Sequence, residues 1–199
     1  MKKILVATHN PGKITEYKEI LGGHALEFLL LSDLNISDEP EETGKTFDEN
    51  ALKKAEFYSK FTDLPILAED SGLEIDYLNG EPGVHSRRWP GYRATDQELV
   101  EMVLAKLGDV PMEKRGAQFR VVIAFKKSPK DKIITAEGIL RGIILEKPAA
   151  EIVPGFPFRP LFYIPEIKKA LGEMTMKEEA KVAHRRMAIE KLLPILNNL

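Results

Sequence analysis

The 199-residue sequence contains no cysteine, which excludes disulfide bonds, thiolate metal sites and cysteine nucleophiles. It also lacks any run of the roughly 18 apolar residues that a membrane-spanning helix needs. The basic start at residues 1–3 is followed by an apolar run at 4–7, which is too short for a signal peptide. The sequence has no excess of basic residues, because its 29 Lys and Arg residues are outnumbered by 31 Asp and Glu residues. These absences predict a cytoplasmic protein that uses no membrane and binds no DNA or RNA polymer through a basic face.

The apolar pattern predicts short strands that alternate with amphipathic helices. Strand patterns occur at residues 4–7, 26–31, 65–68, 73–77, 118–126, 132–137 and 139–145. Helix patterns occur at residues 14–21, 47–58 and 99–107 and from Met176 onward, where Pro194 is expected to bend the end of the helix. The last three strands predict an antiparallel meander. Because no repeat or interdomain linker is found, residues 1–199 are expected to form a single α/β domain with a mixed sheet.

Residues 8–13, Thr-His-Asn-Pro-Gly-Lys, lie between the first predicted strand and the first predicted helix. A helix N-terminus favours an anion, because its first N–H groups are unpaired and its dipole is positive there. The hydroxyl, amide and ammonium groups of this segment suit a phosphate ligand. The same residues also suit an ordinary turn with a helix cap, so both interpretations stand at this point.

Two carboxylates, Glu69 and Asp70, open the segment Glu-Asp-Ser-Gly after the predicted strand at 65–68. Ligands of α/β proteins commonly bind beyond strand ends, and carboxylates there can hold Mg²⁺ together with waters and phosphate oxygens. The alternative is a tight turn whose acidic side chains face water. The acidic run at 38–42 is either a solvated surface or the source of one further metal ligand beside Asp70.

Basic and protonatable side chains cluster on the last predicted helix. Lys177, Lys181 and His184 fall on one helical side, with Arg185 next to them. Such a cluster is usually a solvated face. The alternative is that these side chains neutralise a triphosphate.

Five segments, in this order, resemble the inosine/xanthosine triphosphate pyrophosphatase family, whose members hydrolyse deaminated purine nucleotides. The segments are residues 7–13, 42–51, 67–73, 79–84 and 184–185. The resemblance runs through nearly the whole chain. It implies an elongated α/β fold, in which a mixed sheet is flanked by helices and two lobes surround a central cleft. It also implies a homodimer that uses Mg²⁺ to convert ITP, dITP or XTP to nucleoside monophosphate and pyrophosphate.

The resemblance assigns roles to the residues that match its motifs. It makes Asp70 the catalytic residue, which orients or deprotonates the attacking water. It makes Glu42 and Asp70 the metal ligands. The implied substrate-binding residues are Thr8, His9, Asn10, Pro11, Gly12, Lys13, Lys54, Ser71, Phe156, Phe158, Arg159, His184 and Arg185.

The sequence departs from the family pattern on the base-binding side. The family has Phe-Gly-Tyr-Asp where this chain has Phe-Pro-Phe-Arg at residues 156–159, so Arg159 replaces an acidic residue. Glu179 stands where the family has a lysine, and Lys177 and Lys181 are the neighbours that could restore its charge. Arginine commonly donates to O6 and N7 of a guanine-type base, which keeps a 6-keto purine open as substrate. A shifted preference, for example for a dUTP-like nucleotide, and a non-catalytic nucleotide-binding module are the alternatives.

Overall fold

The computed structural model describes residues 2–24 and 26–199. The strands are β1 (Lys2–Ala7), β2 (Leu26–Leu30), β3 (Ile66–Ile75), β4 (Gly116–Lys126), β5 (Ile134–Ile144), β6 (Phe162–Ile164) and β7 (Lys169–Ala170). The α-helices are α1 (Pro11–Leu21), α2 (Phe47–Tyr58), α3 (Asp96–Leu107), α4 (Met176–Glu179) and α5 (His184–Leu196). Short 3₁₀ helices occur between them, including one at Gly83–Arg88 and one at Arg159–Leu161. Within the described ranges, every helix is too short or too polar to cross a lipid bilayer.

All of these strands belong to one mixed sheet with the order β2-β1-β3-β4-β5-β6-β7. Strand β1 is parallel to both β2 and β3, and every further pair from β3 to β7 is antiparallel. The predicted α/β class with a mixed sheet flanked by helices is therefore confirmed, as is the antiparallel arrangement of its second half.

The helices cover the sheet with their apolar faces. Alternate residues of a strand point to opposite faces, so Val6 and Leu67 pack with α1 and α5, whereas Ala7 and Ala68 pack with α2. A third cluster joins α3 to the far end of the sheet, where Phe162 is fully buried. The end of β1 at Ala7 therefore lies beside Ala68 in the first half of β3.

Helix α2 begins at Phe47, as the sequence predicts, and Thr46 is its N-cap. The Thr46 hydroxyl accepts a hydrogen bond from the Glu49 N–H (3.1 Å). The Glu49 carboxylate accepts one from Lys45 N–H (2.7 Å) rather than from the Thr46 N–H that a capping box requires. Helix α3 has a complete capping box, in which Thr95 and Glu98 each accept from the other's backbone N–H.

Two predicted strand breaks are wrong. Residues 69–72 continue β3, because the ladder with β4 runs without interruption from Ile66 to Ile75. Residue Gly138 lies inside β5, opposite Val121, so residues 134–144 form one strand where two were predicted. In both places a turn-like composition is overridden by pairing with a neighbouring strand.

The predicted single helix from Met176 is also wrong. Helix α4 ends at Glu179 and α5 starts at His184, so residues 180–183 separate two helices. Lys177 and Lys181 consequently share no helical face with His184. Helix α5 then continues through Pro194 to its last residue two positions later.

Candidate active site

A cleft of about 360 Å³ opens where β1 ends and β3 continues. Ala7, the last residue of β1, pairs with Ala68, so the loop after β1 starts beside the acidic segment of β3. The predicted site residues that line the cleft are Thr8, His9, Asn10, Pro11, Lys13, Glu42, Lys54, Asp70, Ser71, Phe156, Phe158, Arg159, His184 and Arg185.

Gly12 is buried and does not line the cleft. A Cβ atom at this position would overlap the ring of Phe156, so the glycine allows that ring to lie against α1. The Asn10 side chain accepts hydrogen bonds from the N–H groups of Gly12 (2.8 Å) and Lys13 (3.3 Å). The cap interpretation therefore describes how the loop is built. A phosphate ligand would be bound mainly by the side chains of Thr8, His9 and Lys13.

Lys54 joins the two predicted metal ligands. Its Nζ lies 2.5 Å from Glu42 Oε1 and 3.0 Å from Asp70 Oδ1, and Asn50 Nδ2 donates to Asp70 Oδ2 (2.9 Å). Burial would raise the pKa of the Glu42 carboxyl, but the Lys54 ammonium lowers it below its usual value. The Glu42 and Asp70 carboxylates therefore both pair with the Lys54 ammonium group.

This donor set fits Mg²⁺. Among residues 2–24 and 26–199, no group of three or more Asp, Glu or His side chains forms a metal cage. Mg²⁺ usually needs only one or two carboxylates, because waters and substrate phosphates complete its octahedron. A pair such as Glu42 and Asp70 meets that requirement.

Glu69 and Asp70 point to opposite faces of the sheet, as neighbours in a strand must. The Glu69 carboxylate accepts hydrogen bonds from Tyr17 (2.7 Å) and Arg185 (2.8 Å) and pairs with Lys13 Nζ (2.9 Å). Although burial raises the pKa of Glu69, Arg185 and Lys13 hold it well below its usual range. The solvated-turn interpretation is therefore wrong, and Glu69 anchors basic side chains instead of joining Asp70 at a metal.

Arg185 connects this anchor to a second buried acid. Its Nη1 donates to Glu16 Oε2 (2.8 Å), and the residue is only 4% exposed. His184, the first residue of α5, stacks on Phe119 with 5.4 Å between ring centroids. Burial lowers the pKa of His184 well below its usual value, so the ring is neutral at pH 7.

The predicted four-residue cation cluster does not form. His184 and Arg185 line the cleft, whereas Lys177 and Lys181 are exposed and lie outside its wall. The break between α4 and α5 is the reason. Neither lysine therefore replaces the charge that the family pattern has at position 179.

Glu16 is a buried acid of α1 that belongs to none of the sequence motifs. Among the described residues, Glu16 Oε1 is the only fully buried side-chain polar atom without a hydrogen-bond partner. Burial raises the pKa of Glu16 to about 7, even though Arg185 acts in the opposite direction. Its helical spacing from Lys13 is the one sequence signal that places it near the phosphate loop.

We expect the Glu16→Gln variant to lose part of the pH dependence of stability. Between about pH 4.5, the ordinary value for a glutamate, and pH 7, folded Glu16 binds more protons than unfolded Glu16. The free energy of unfolding of the wild type must therefore fall as pH rises through this window, by on the order of 3 kcal/mol in total. Urea unfolding of both proteins at pH 5 and pH 8 measures this. Identical pH dependence in the two proteins would show that Glu16 ionises normally.

Phe119, Phe156 and Phe158 also line the cleft, and the Phe119 ring is the one that stacks on His184. Arg159 and Glu179 lie in the same wall and form a buried ion pair through Arg159 Nε and Glu179 Oε2. Arg159 and Glu179, the two residues that depart from the family pattern, therefore pair with each other. The local sequence around neither residue indicates this pairing.

Three further arginines, which belong to none of the predicted site motifs, line the cleft. The 3₁₀ helix Gly83–Arg88 brings Arg87 and Arg88 to the cleft, and Arg88 Nη1 lies 3.5 Å from Glu42 Oε2. Arg93 completes the group. In all, the cleft wall carries seven lysine and arginine side chains and six aspartate and glutamate side chains.

Comparison with known proteins gives a consistent result. The model of the Ham1 family matches residues 4–195. A dITP/XTP pyrophosphatase of Bacillus subtilis (strain 168) is 41% identical over 196 residues, which is 98% of each chain. One of Yersinia pseudotuberculosis serotype I is 40% identical over the full length of both chains. The solved structure of a HAM1 protein from Coxiella burnetii is 35% identical, with a TM-score of 0.86 over all of both chains.

Proposed function

The chain belongs to the Ham1 family, and from this premise we propose that it is a nucleoside triphosphate pyrophosphatase. It hydrolyses the deaminated purine nucleotides ITP, dITP and XTP to nucleoside monophosphate and pyrophosphate. The observation that carries this proposal is the meeting of the Glu42 and Asp70 carboxylates at Lys54, in the same cleft as the N-terminus of α1.

The polyphosphate binds at the α1 end of the cleft. Lys13 is in the first turn of α1, whose dipole favours an anion. Lys54 and Arg88 reach the same region through their ion pairs with Glu42. Thr8 Oγ1 adds a hydroxyl group that can donate to a phosphoryl oxygen. Ser71 Oγ donates to Glu69 Oε1 (3.2 Å) and must turn from it to donate to a phosphate.

The charge of the cleft supports a bound cation. Its basic and acidic side chains nearly balance, so a triphosphate alone would leave a large excess of negative charge. Glu42 and Asp70 hold Mg²⁺ in this proposal. When bound, the ion supplies compensating charge and draws electron density from the phosphoryl oxygens.

Asp70 is the catalytic residue of this proposal. Its carboxylate is fixed by Asn50 and Lys54 and accepts a hydrogen bond from the attacking water, which aligns that water with the phosphorus atom. A carboxylate that also binds a cation is a weak base, so alignment contributes more than proton abstraction.

The base binds against the aromatic side chains of the cleft wall in this proposal. Phe156 and Phe158 offer ring faces on which any nucleobase can stack. Stacking supplies binding energy without strict base selection, so selection depends on the polar groups in the same wall.

The remaining expectations belong to the same proposal. Residues 1–199 form one domain in which two lobes meet at the cleft, supported by one continuous sheet and separate hydrophobic clusters at its two ends. The protein works as a homodimer, as the family resemblance implies. It acts in the cytoplasm, for which the absence of cysteine is suitable.

The proposed activity is tested by a screen for released pyrophosphate. Natural, deaminated and pyrimidine nucleoside triphosphates are incubated with the protein and Mg²⁺, and the fastest release is expected from ITP, dITP and XTP. Faster turnover of dUTP would show a shifted base preference. Binding of triphosphates without release from any of them would contradict an enzymatic function and favour a binding module.

A further inference from the structure

Residues 153–156 form a tight turn, and its last two residues line the cleft. The Phe156 N–H donates to the Val153 carbonyl oxygen (2.9 Å), and Gly155 has a φ of 86°. With Pro154 in the second position, these are the features of a type II turn. The hydrogen bond of the turn does not use the N–H of Gly155, which is therefore available to a partner outside the turn.

The turn lies against the segment that we assign to the polyphosphate. A Cβ atom on Gly155 would lie only 2.9 Å from Asn10 Oδ1, and one on Gly12 would overlap the Phe156 ring. Asn10 and Gly12 belong to the N-terminal end of α1. Among the described residues, no hydrogen bond joins the turn to this segment, so the turn needs support from elsewhere to stay in contact with it.

Asp96, the first residue of α3, supplies that support through the free N–H of the turn. Its Oδ2 accepts from the Gly155 N–H (2.9 Å), and its Oδ1 accepts from Arg87 Nη1. Each carboxylate oxygen therefore serves a different segment of the chain. Asp96 itself lies outside the cleft wall, so its effect on a bound nucleotide passes through these two partners.

Arg87 connects Asp96 to the metal side of the cleft. Arg87 and Arg88 are neighbours in the 3₁₀ helix Gly83–Arg88, and Arg88 pairs with Glu42. An acid that only stabilised the positive end of the α3 dipole would need neither Arg87 nor the turn. The two contacts therefore indicate a second role for Asp96.

We propose, on the basis of the proposed function, that Asp96 is a positioning residue for nucleotide binding. It keeps the turn at residues 153–156 against the N-terminal end of α1, so that both are in place before a triphosphate enters. A site that is formed in only a fraction of the molecules binds its ligand more weakly by that fraction. The role concerns the binding of any nucleoside triphosphate and does not involve the choice of base.

The first test is the split between KM and kcat in the Asp96→Asn variant. An amide has only one acceptor oxygen, so the variant keeps one of the two contacts and loses the ion pair with Arg87. We expect KM for ITP to rise about 10-fold, with kcat within about twofold of the wild type, because a hydrogen bond to a charged group commonly contributes a factor of this size or more. The ratio of kcat/KM for ITP to kcat/KM for ATP should stay at its wild-type value.

The second test needs no activity, because it follows amide hydrogen exchange of the nucleotide-free protein. The amides of Gly155 and Phe156 are hydrogen-bonded and exchange when the turn opens. We expect both to exchange about 10-fold faster in Asp96→Asn, while the amides in the body of α3 keep their wild-type rates. If Asp96 acted only on α3, exchange would rise in that helix and stay constant in the turn.

A second variant covers the case in which Asp96→Asn fails to fold. Arg87→Met removes the ion pair that orients the Asp96 carboxylate but leaves the bond to Gly155, so KM and exchange in the turn should both rise by a smaller factor. Asp109→Asn is the control, because Asp109 is exposed just beyond the other end of α3 and lies outside the cleft wall. It should match the wild type in both measurements.

The outcomes separate the two proposals. If folded Asp96→Asn keeps the wild-type KM or the wild-type exchange of the turn, the positioning role is overturned and the proposed function stands. Absence of pyrophosphate release from ITP by the wild type overturns the proposed function, and the positioning role falls with it. A rise of both KM and exchange in Asp96→Asn, absent from Asp109→Asn, supports the inference.

Discussion

The Asp70→Asn variant is expected to bind nucleoside triphosphates but to lose at least about 10²-fold, and up to about 10⁴-fold, in kcat for pyrophosphate release. The amide keeps the shape of the carboxylate, but it carries no charge to hold Mg²⁺ and accepts more weakly from the attacking water. General-base and water-positioning groups typically contribute a factor of this size. The rate is measured with ITP at saturating Mg²⁺.

Glu74→Gln provides the matched control for this experiment. Glu74 lies in β3 like Asp70, but it is outside the cleft wall and contacts Gln118 instead. Its variant should keep wild-type activity. Wild-type kcat in folded Asp70→Asn would remove Asp70 from the catalytic role.

The Gly138→Ala variant is expected to lose at least about 2 kcal/mol of stability, because it forces two backbone segments apart. The added Cβ would overlap the backbone carbonyl of His184 and lie 3.0 Å from the Ala188 nitrogen. Neither group can rotate away, so α5 must shift from β5. For a chain of this length the melting temperature should fall by roughly 4–8 °C.

Activity should fall in the same variant, because α5 carries His184 and Arg185 into the cleft. Gly23→Ala is the control, since Gly23 is exposed and a Cβ there would meet nothing within 4 Å. Its stability should stay within about 0.5 kcal/mol of the wild type. Equal melting temperatures for the two variants would contradict the close packing of β5 against α5.

Much of the fold follows from the spacing of apolar residues. The run at residues 4–7 and the pattern of helix α3 carry their structure in the local sequence, because each buries a simple strand or helix face. The structure of residues 69–72 cannot be predicted from the local sequence. Their composition is that of a turn, and pairing with residues of β4 about 50 positions later in the chain keeps them extended.

In the candidate site, too, contacts between residues distant in the sequence could not be predicted. The loop after β1 and the pair Glu42 and Asp70 were identified because short motifs carry them. The anchoring role of Glu69 depends on Arg185, which is separated from it by 116 residues. Residues so distant become partners only through packing of α5 on the sheet, so no local pattern reveals their ion pair.

The same reasoning applies to the base-binding end of the cleft. Taken separately, Arg159 replaces an acidic residue of the family pattern and Glu179 replaces a lysine, so each looks like the loss of a functional charge. Together they form one buried pair, and Glu179 is the last residue of α4, directly before the interruption at residues 180–183. A continuous helix from Met176 was the natural expectation from the apolar pattern, and it concealed this arrangement.

The most direct test of the account is the Mg²⁺ dependence of ITP hydrolysis in the wild type and in Glu42→Gln, with Glu41→Gln as the exposed neighbouring control. The account predicts no pyrophosphate release in EDTA. It also predicts at least a 10-fold rise in the Mg²⁺ concentration for half-maximal rate in Glu42→Gln, because loss of a group that supports a metal site commonly costs about 10- to 100-fold in affinity. Glu41→Gln should behave like the wild type. Full activity in EDTA, or an unchanged Mg²⁺ requirement in Glu42→Gln, would contradict the claim that Glu42 and Asp70 hold the metal that carries the polyphosphate.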